Sequence, residues 1–169
     1  MDYYGETSTE TSSLETAKLL LNSVLSTKNA RFMSIDISNF FIQTNLEDYQ
    51  YIRFHINLIP QEIIDEYNLT TIVDSDGWCY AEMRKAVYGL KEASYLSNVE
   101  LKKVLAKEGY VPSKFTPGLF THETRDIAFS LCINDFGVRY VHKKGADHLV
   151  QTIKKRYPIK VSWNPDYYL

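Results

Sequence analysis

The sequence predicts an α+β fold in which an antiparallel sheet is backed by helices on one face. Three observations predict it. Short segments rich in β-forming residues alternate with segments whose apolar residues recur at helical spacing. A two-residue polar link joins two of the predicted strands as a tight hairpin. The order strand, connection, helix, hairpin, helix, strand matches a split β-α-β arrangement, which brings the end of the first strand beside the hairpin tip.

Composition is consistent with one folded domain. The chain has 169 residues, of which 44% are hydrophobic and 14% aromatic, and this is enough apolar surface for a single core. Its formal net charge of -2 does not call for a nucleic-acid partner, although a local basic groove is compatible with it. Cys79 and Cys132 are too few for a disulfide framework or a zinc site. Without a signal peptide or a membrane-spanning apolar run, we expect an intracellular protein with no membrane partner.

The first predicted helix follows a polar tail. Residues 1–13 lack the apolar spacing needed to pack, so we expect them to be disordered and the folded domain to span 14–169. A capping-box pattern, Ser12-x-x-Glu15, opens the helix. Its apolar positions are Leu14, Ala17, Leu21, Val24 and Leu25, and the pattern fades over 26–29.

The next elements are predicted mainly as strands. Residues 31–37 are rich in β-forming residues and carry Asp36 at their apolar end, where an acid needs a structural or chemical reason. The following segments predict a strand at 51–56, a short helix at 60–67, a turn at 74–77 and a strand at 78–83.

The second half predicts two helices around the hairpin. A helix over 94–107 ends before Gly109, and two turns at 117–118 and 123–126 follow it. The hairpin strands are predicted at 127–133 and 136–141, joined by Asn134-Asp135. A helix over 145–157 is ended by Pro158, and a last strand is predicted at 159–163.

The predicted topology places acidic and amide side chains together. Asp36 at the end of the first strand would face the pair Asn134-Asp135 at the hairpin tip. Phosphoryl transfer to a nucleic-acid 3′-hydroxyl uses two hard cations about 3.5–4 Å apart. Carboxylate oxygens are the ligands that such cations prefer. The sequence therefore predicts a two-metal site at this end of the sheet.

Four segments, in order, resemble motifs of the reverse transcriptases of copia-type retrotransposons. They are SIDISNFF (34–41), KAVYGLKEAS (85–94), GYVPSKFTPGLF (109–120) and INDFGVRYV (133–141), preceded by the leucine-rich helix around 19–21. The resemblance extends from about Leu14 to Leu169. It implies a palm-like antiparallel sheet backed by helices, with partial fingers and no thumb. The implied activity is that of an RNA-directed DNA polymerase with two Mg²⁺ ions. Its partners would be an RNA/DNA template-primer and deoxynucleotides, and a fuller polymerase subunit is a further candidate partner.

The resemblance assigns roles to individual residues. It implies that Asp36 and Asp135 are metal ligands and that Asp36, Asn134 and Asp135 are the catalytic residues. Three positions are implied to bind the nucleotide: Ile37, whose carbonyl is also a candidate metal ligand, Phe41, against the incoming sugar, and Glu92, where the family has a glutamine.

Two of these positions depart from the family pattern. Asn134 stands where the family has the first hairpin aspartate, so a full negative charge is missing, and we expect weak metal occupancy. Asp135 is not expected to replace it, because neighbouring residues at a strand end point to opposite faces. Glu92 would place negative charge beside a triphosphate. We therefore expect a catalytically defective enzyme.

Other interpretations stay open at this stage. The chain is alternatively a non-catalytic nucleic-acid-binding remnant or a functionless pseudogene product, and the sequence does not separate these two. Several local features also have ordinary structural explanations: the Asn-Asp link as a simple turn, Phe40-Phe41 as core, His142 and His148 as surface rather than a metal pair, and Lys154-Lys155-Arg156 as a solvated face.

Overall fold

A computed structural model describes residues 7–165, in which strands and helices follow the predicted order. The elements are α1 (Leu14–Ser26), β1 (Arg31–Ile37), β2 (Asn45–His55), α2 (Gln61–Glu66), β3 (Trp78–Lys85), α3 (Ala93–Lys107), β4 (Tyr110–Pro112), β5 (Leu119–His122), β6 (Ile127–Cys132), β7 (Asp135–Tyr140), α4 (Lys143–Lys154) and β8 (Ile159–Ser162). A six-stranded antiparallel sheet has the order β4-β5-β6-β7-β1-β8, and β2 and β3 form a separate two-stranded ribbon. The predicted fold class, an α+β fold with an antiparallel sheet backed by helices, is confirmed.

The main core lies between one face of the sheet and helices α3 and α4. Alternate residues of the central strands point to this face because side chains alternate along a strand. Ile35 of β1, for example, lies directly opposite Phe136 of β7, and both are buried. The helices contribute the buried residues Leu101, Leu105, Leu149 and Ile153. Burial of this face fixes the register of β1 against β7, and with it the position of Asp36.

Helix α1 packs on the opposite face of the sheet, which differs from the predicted arrangement. Ala128 and Arg139 are cross-strand partners on β6 and β7, and they line the same groove as Leu19 and Leu20 of α1. Because side chains alternate, these strand residues face away from the core of α3 and α4. Helices therefore cover both faces of the sheet rather than one.

The start of α1 is shifted by one residue from the predicted capping box. Ser13 is the N-cap, and its Oγ accepts a hydrogen bond of 3.2 Å from the Thr16 N–H. Ser12 is buried instead, and its own N–H donates to the Leu131 carbonyl at 2.9 Å. The residue predicted to cap the helix, Ser12, is thus hydrogen-bonded through its backbone to strand β6. The first six residues of the predicted tail lie outside the described residues.

The hairpin between β6 and β7 is also shifted by one residue. Its two-residue link is Ile133-Asn134 rather than Asn134-Asp135, because Asp135 already pairs with Cys132 as the first residue of β7. Ile133 adopts a positive φ of 57°. A positive φ is unusual for a β-branched residue and marks local strain.

Several other boundaries differ from those predicted. Strand β2 begins at Asn45, six residues earlier than predicted, and α4 runs from Lys143 to Lys154. The short strands β4 and β5 were not predicted at all. None of the helices within residues 7–165 is long and apolar enough to cross a bilayer.

Candidate active site

Asp36 is the next-to-last residue of β1, which pairs with β7 on one side and with β8 on the other. In the antiparallel ladders it lies directly opposite Asp135 of β7 and, on the other side, directly opposite Lys160 of β8. Directly opposed residues share a face, with Cβ atoms about 4.5–5.5 Å apart. Three charged residues, Asp135, Asp36 and Lys160, therefore form a row across one face of the sheet.

Asn134 is bonded to the end of β1 through both its side chain and its backbone. Its Nδ2 donates to Asp36 Oδ1 at 2.8 Å and to the Ile37 carbonyl oxygen at 3.3 Å. The Ile37 N–H donates in return to the Asn134 carbonyl at 3.0 Å. Because both partners of the side chain are acceptors, the amide nitrogen, not its oxygen, must face them. The hairpin tip is thereby fixed against β1.

Asp36 has a donor on each carboxylate oxygen. Asn134 donates to Oδ1, and the Ser38 hydroxyl donates to Oδ2 at 3.5 Å. Ser38 is itself held in place, because its N–H donates to the Pro158 carbonyl at 2.9 Å. The carboxylate is thus satisfied by neutral donors from the protein.

Asp135 lies on the same face as Asp36, which corrects the prediction that it would point away. The alternation argument failed because Asn134 belongs to the turn, not to the strand. Burial raises the pKa of the Asp135 carboxyl, and the nearby charge of Asp36 raises it further. The two carboxylates therefore repel each other at a partly buried position.

Ile37 and Phe41, two of the residues implied to bind a nucleotide, lie next to Asp36 or close after it in the chain. The Ile37 side chain is fully buried, so only its backbone carbonyl faces the hairpin. Phe41 is half-buried, with its ring 5.7 Å from that of Phe40 and 6.3 Å from that of Tyr88. Phe40 is a core residue, as the structural interpretation predicted. The contact of Phe41 with a sugar stays a prediction.

Glu92 lies in different surroundings from the acidic row. It precedes α3 and lines a small cavity together with the start of β2. Among the hydrogen bonds and ion pairs of residues 7–165, none connects Glu92 to Asp36, Asn134 or Asp135. Its proximity to a nucleotide stays a prediction.

The histidines near α4 are arranged differently from a metal pair. His148 Nδ1 is hydrogen-bonded to the Tyr110 hydroxyl at 3.0 Å, and its ring lies 5.5 Å from that of His122. His142 instead occupies the N-cap position of α4. No group of three or more His, Cys, Asp and Glu side chains within residues 7–165 is arranged to hold a metal ion.

The basic run at the end of α4 is largely engaged in contacts within the chain. Lys155 Nζ lies 2.7 Å from Glu108 Oε1. Arg156 donates to the Gln43 carbonyl at 2.6 Å and to Glu100 at 3.3 Å. These contacts connect α4 to α3 and to the segment after β1, so two of the three basic residues have a structural role.

Sequence reasoning missed two residues of the site. Lys160 was within a predicted strand, but its place opposite Asp36 depends on which strand β8 pairs with, and the sequence carries no signal for that choice. Ser38 follows β1 directly, and a hydroxyl two residues after a strand-end acid could have been proposed as its donor.

The arrangement could in principle bind hard cations through the oxygens of Asp36, Asp135 and the Ile37 carbonyl. The Asn134 amide nitrogen, however, bonds Asp36 Oδ1 and the Ile37 oxygen, two of the atoms that a cation would need. Lys160 adds positive charge to the same row. The residues present therefore do not fit a pair of divalent ions. No protein-family model matches the sequence.

Proposed function

We propose that this chain is the palm and partial-fingers portion of a copia-type retrotransposon reverse transcriptase. By ancestry it is an RNA-directed DNA polymerase that uses two Mg²⁺ ions, and in its present form it is catalytically defective. The observation that carries the proposal is the contact of Asp36 with Asn134, which comes from two segments that separately resemble motifs of that family.

The sheet alone supports the proposal only weakly. Antiparallel sheets backed by helices serve many unrelated functions, so function has to be argued from the site. More specific support comes from the position of Asp36 at the end of a central strand, opposite the first residue of the hairpin strand. A family of polymerases that places one acid on a strand end and two on a hairpin tip would produce this register.

The defect follows from the electrostatics of the hairpin tip. An aspartate at 134 would add a second carboxylate beside Asp36 Oδ1, and a divalent cation would then be needed to hold the two charges together. An asparagine donates an N–H to the same oxygen instead, which stabilises the tip without any ion. The substitution thus replaces metal binding by a hydrogen bond.

Primer extension on an RNA template tests the proposal. The chain as it stands would be compared, in Mg²⁺ and in Mn²⁺, with Asn134→Asp and with Asn134→Asp combined with Glu92→Gln. We expect extension only from the restored variants, and adding Asp36→Asn to them should abolish it. Extension by the unchanged chain would contradict the defect, and extension by none of the folded variants would contradict a surviving polymerase geometry.

The interpretation as a nucleic-acid-binding remnant has less support. Residues 45–92 carry nine Asp and Glu against four Lys and Arg, and Lys155 and Arg156 are engaged within the chain. Salt-dependent binding of an RNA–DNA duplex by the unchanged chain would nevertheless favour it. A functionless product would show neither binding nor restorable extension.

A further inference from the structure

A small open cavity lies between the start of β2 and the N-terminal end of α3. Its volume is about 160 Å³, and it is lined by Leu46, Glu47, Asp48, Gln50, Glu92 and Leu96. A cavity of about 150 Å³ accommodates a benzene-sized molecule. The space is thus suited to one small organic group rather than to a nucleotide.

Glu92 has no visible partner in this cavity. The residue is only 5% exposed, and it receives no side-chain hydrogen bond and forms no ion pair with any of residues 7–165. Its carboxylate does not cap α3, although Glu92 occupies the N-cap position. Burying a carboxylate costs free energy unless a donor or a cation compensates for it. Because Glu92 lines the cavity, the solvent there, or a ligand that replaces it, has to supply this compensation.

The other lining residues select a cation for this role. Glu47 and Asp48 line the same cavity and are exposed, so they add negative charge to that of Glu92. Leu46 and Leu96 supply apolar walls for an alkyl segment, and the Gln50 side chain supplies a carbonyl acceptor. The surrounding segment 45–92 has an excess of acidic residues, which raises the local concentration of cations.

We propose that this cavity binds a small organic cation, a primary ammonium or a guanidinium group, with Glu92 as its buried counter-ion. The cation is either a free amine or the side chain of a lysine or arginine in a protein partner. A bare metal ion requires several converging oxygen ligands, and no three acidic, His or Cys side chains within residues 7–165 are arranged to hold one. The apolar walls favour an alkylated cation instead. This inference involves none of the residues in the acidic row, but it does use Glu92, which the resemblance assigns to the nucleotide; cation binding by the unchanged chain is measured separately from primer extension, so either result can fail without the other.

Amide-detected NMR titration tests the proposal. Putrescine represents the free amine and Nα-acetyl-lysine methylamide represents a protein side chain. We expect saturable shift changes at the amides of Leu46, Gln50 and Leu96, with the tighter of the two probes indicating the source. In Glu92→Gln the binding should weaken about tenfold or more, since a charge-assisted hydrogen bond is lost. Glu62→Gln, an exposed change on α2, should leave both titrations unaltered.

Titrations of a second variant, Glu47→Gln, and of the unchanged chain with Mg²⁺ complete the test. Because Glu92 is buried, Glu47→Gln, at an exposed position that lines the same cavity, provides a variant that leaves Glu92 in place, and it should weaken binding by a smaller factor. Equal binding by Glu92→Gln, no saturable shift with either probe, or larger shifts of the same amides with Mg²⁺ would each overturn the proposal.

Discussion

The side-chain amide of Asn134 donates a hydrogen bond of 2.8 Å to Asp36 Oδ1, and the two residues are 98 positions apart in the chain. The same nitrogen also bonds the Ile37 carbonyl at 3.3 Å. A neutral residue therefore satisfies one carboxylate oxygen of an acid at the end of a central strand by hydrogen bonding. This contact is the basis for the proposal that the chain is a polymerase fold whose metal site has been lost.

Removing the amide should destabilise the fold. Asn134→Ala deletes both donated hydrogen bonds and leaves the Asp36 carboxylate partly buried with only the Ser38 donor. We expect the free energy of unfolding to fall by ~1–3 kcal/mol, as for other hydrogen bonds to charged groups. Urea unfolding measures it, with Asn164→Ala, an exposed position after β8, as the control that should change little. A loss no larger than that of the control would argue against the structural role of the contact.

Asp135 should reduce stability at neutral pH. Its pKa is raised in the folded chain, mainly by burial and then by the charge of Asp36. The folded state therefore holds its proton to a higher pH than the unfolded state, and stability falls as the pH rises from the ordinary value of 3.8 through the folded pKa.

Asp135→Asn should accordingly stabilise the chain near pH 7. The gain should stay below ~1 kcal/mol, because the group is only partly buried. It should shrink as the pH falls below the folded pKa and vanish below about 3.8. Urea unfolding at a series of pH values measures this difference. A gain that is the same at every pH would show that charge is not its cause.

Backbone strain at the hairpin tip should be relieved when Ile133 is replaced by a residue that accepts a positive φ. Ile133 adopts φ of 57° and is 37% exposed, so its side chain contributes little core packing. A left-handed conformation costs a residue with a Cβ roughly 1–2 kcal/mol, and asparagine tolerates it best after glycine. Ile133→Asn should therefore raise Tm, whereas Ile133→Val, which keeps the β-branch, should not. Thermal unfolding compares the two, and equal Tm values would exclude strain at this position.

His148 should make the fold sensitive to mild acid. Burial lowers the pKa of its imidazole below the ordinary 6.5, with smaller contributions from Arg125 and His122 and an opposing one from Glu108. The unfolded chain therefore takes up a proton before the folded chain does, and stability is lost as the pH falls below about 6.5.

Replacing His148 should reduce this loss of stability. The ring is hydrogen-bonded to the Tyr110 hydroxyl and lies 3.6 Å from Glu108 Oε2, so His148→Gln keeps a hydrogen-bonding partner for the tyrosine while removing the titration. Thermal unfolding between pH 7 and pH 5 should then show a smaller decline in Tm. The exposed change His142→Gln should leave the decline as it was, and a decline unaffected by His148→Gln would contradict the assignment.

Local patterns predicted much of this fold from the sequence. The order of the major elements, the hairpin, and the meeting of Asp36 with the hairpin tip follow from alternation, helical spacing and turn residues. The edge strands β4 and β5 were missed because they are only three and four residues long and contain no full alternation. Strand β2 was predicted too short because its first half is polar and exposed.

Tertiary pairing determined the features that the sequence did not predict. The link between β6 and β7 is Ile133-Asn134 because the register of buried residues such as Phe136 takes precedence over the preference of Asn and Asp for turns. The position of Lys160 depends on a pairing between strands far apart in the chain. The side of the sheet that α1 covers likewise depends on which face still has apolar area to bury.

Magnesium dependence of thermal unfolding tests the central claim, that an amide at 134 has replaced a metal ligand. The unchanged chain should show the same Tm in MgCl₂ as in NaCl of equal ionic strength. Asn134→Asp should have a lower Tm without Mg²⁺ and regain it with the ion. Saturation at 100 times Kd stabilises by ~2.7 kcal/mol, and each kcal/mol raises Tm by about 2–4 °C in a chain of this size. Adding Asp36→Asn should abolish the response. A Tm of Asn134→Asp that ignores Mg²⁺, or an unchanged chain that responds equally, would contradict the account.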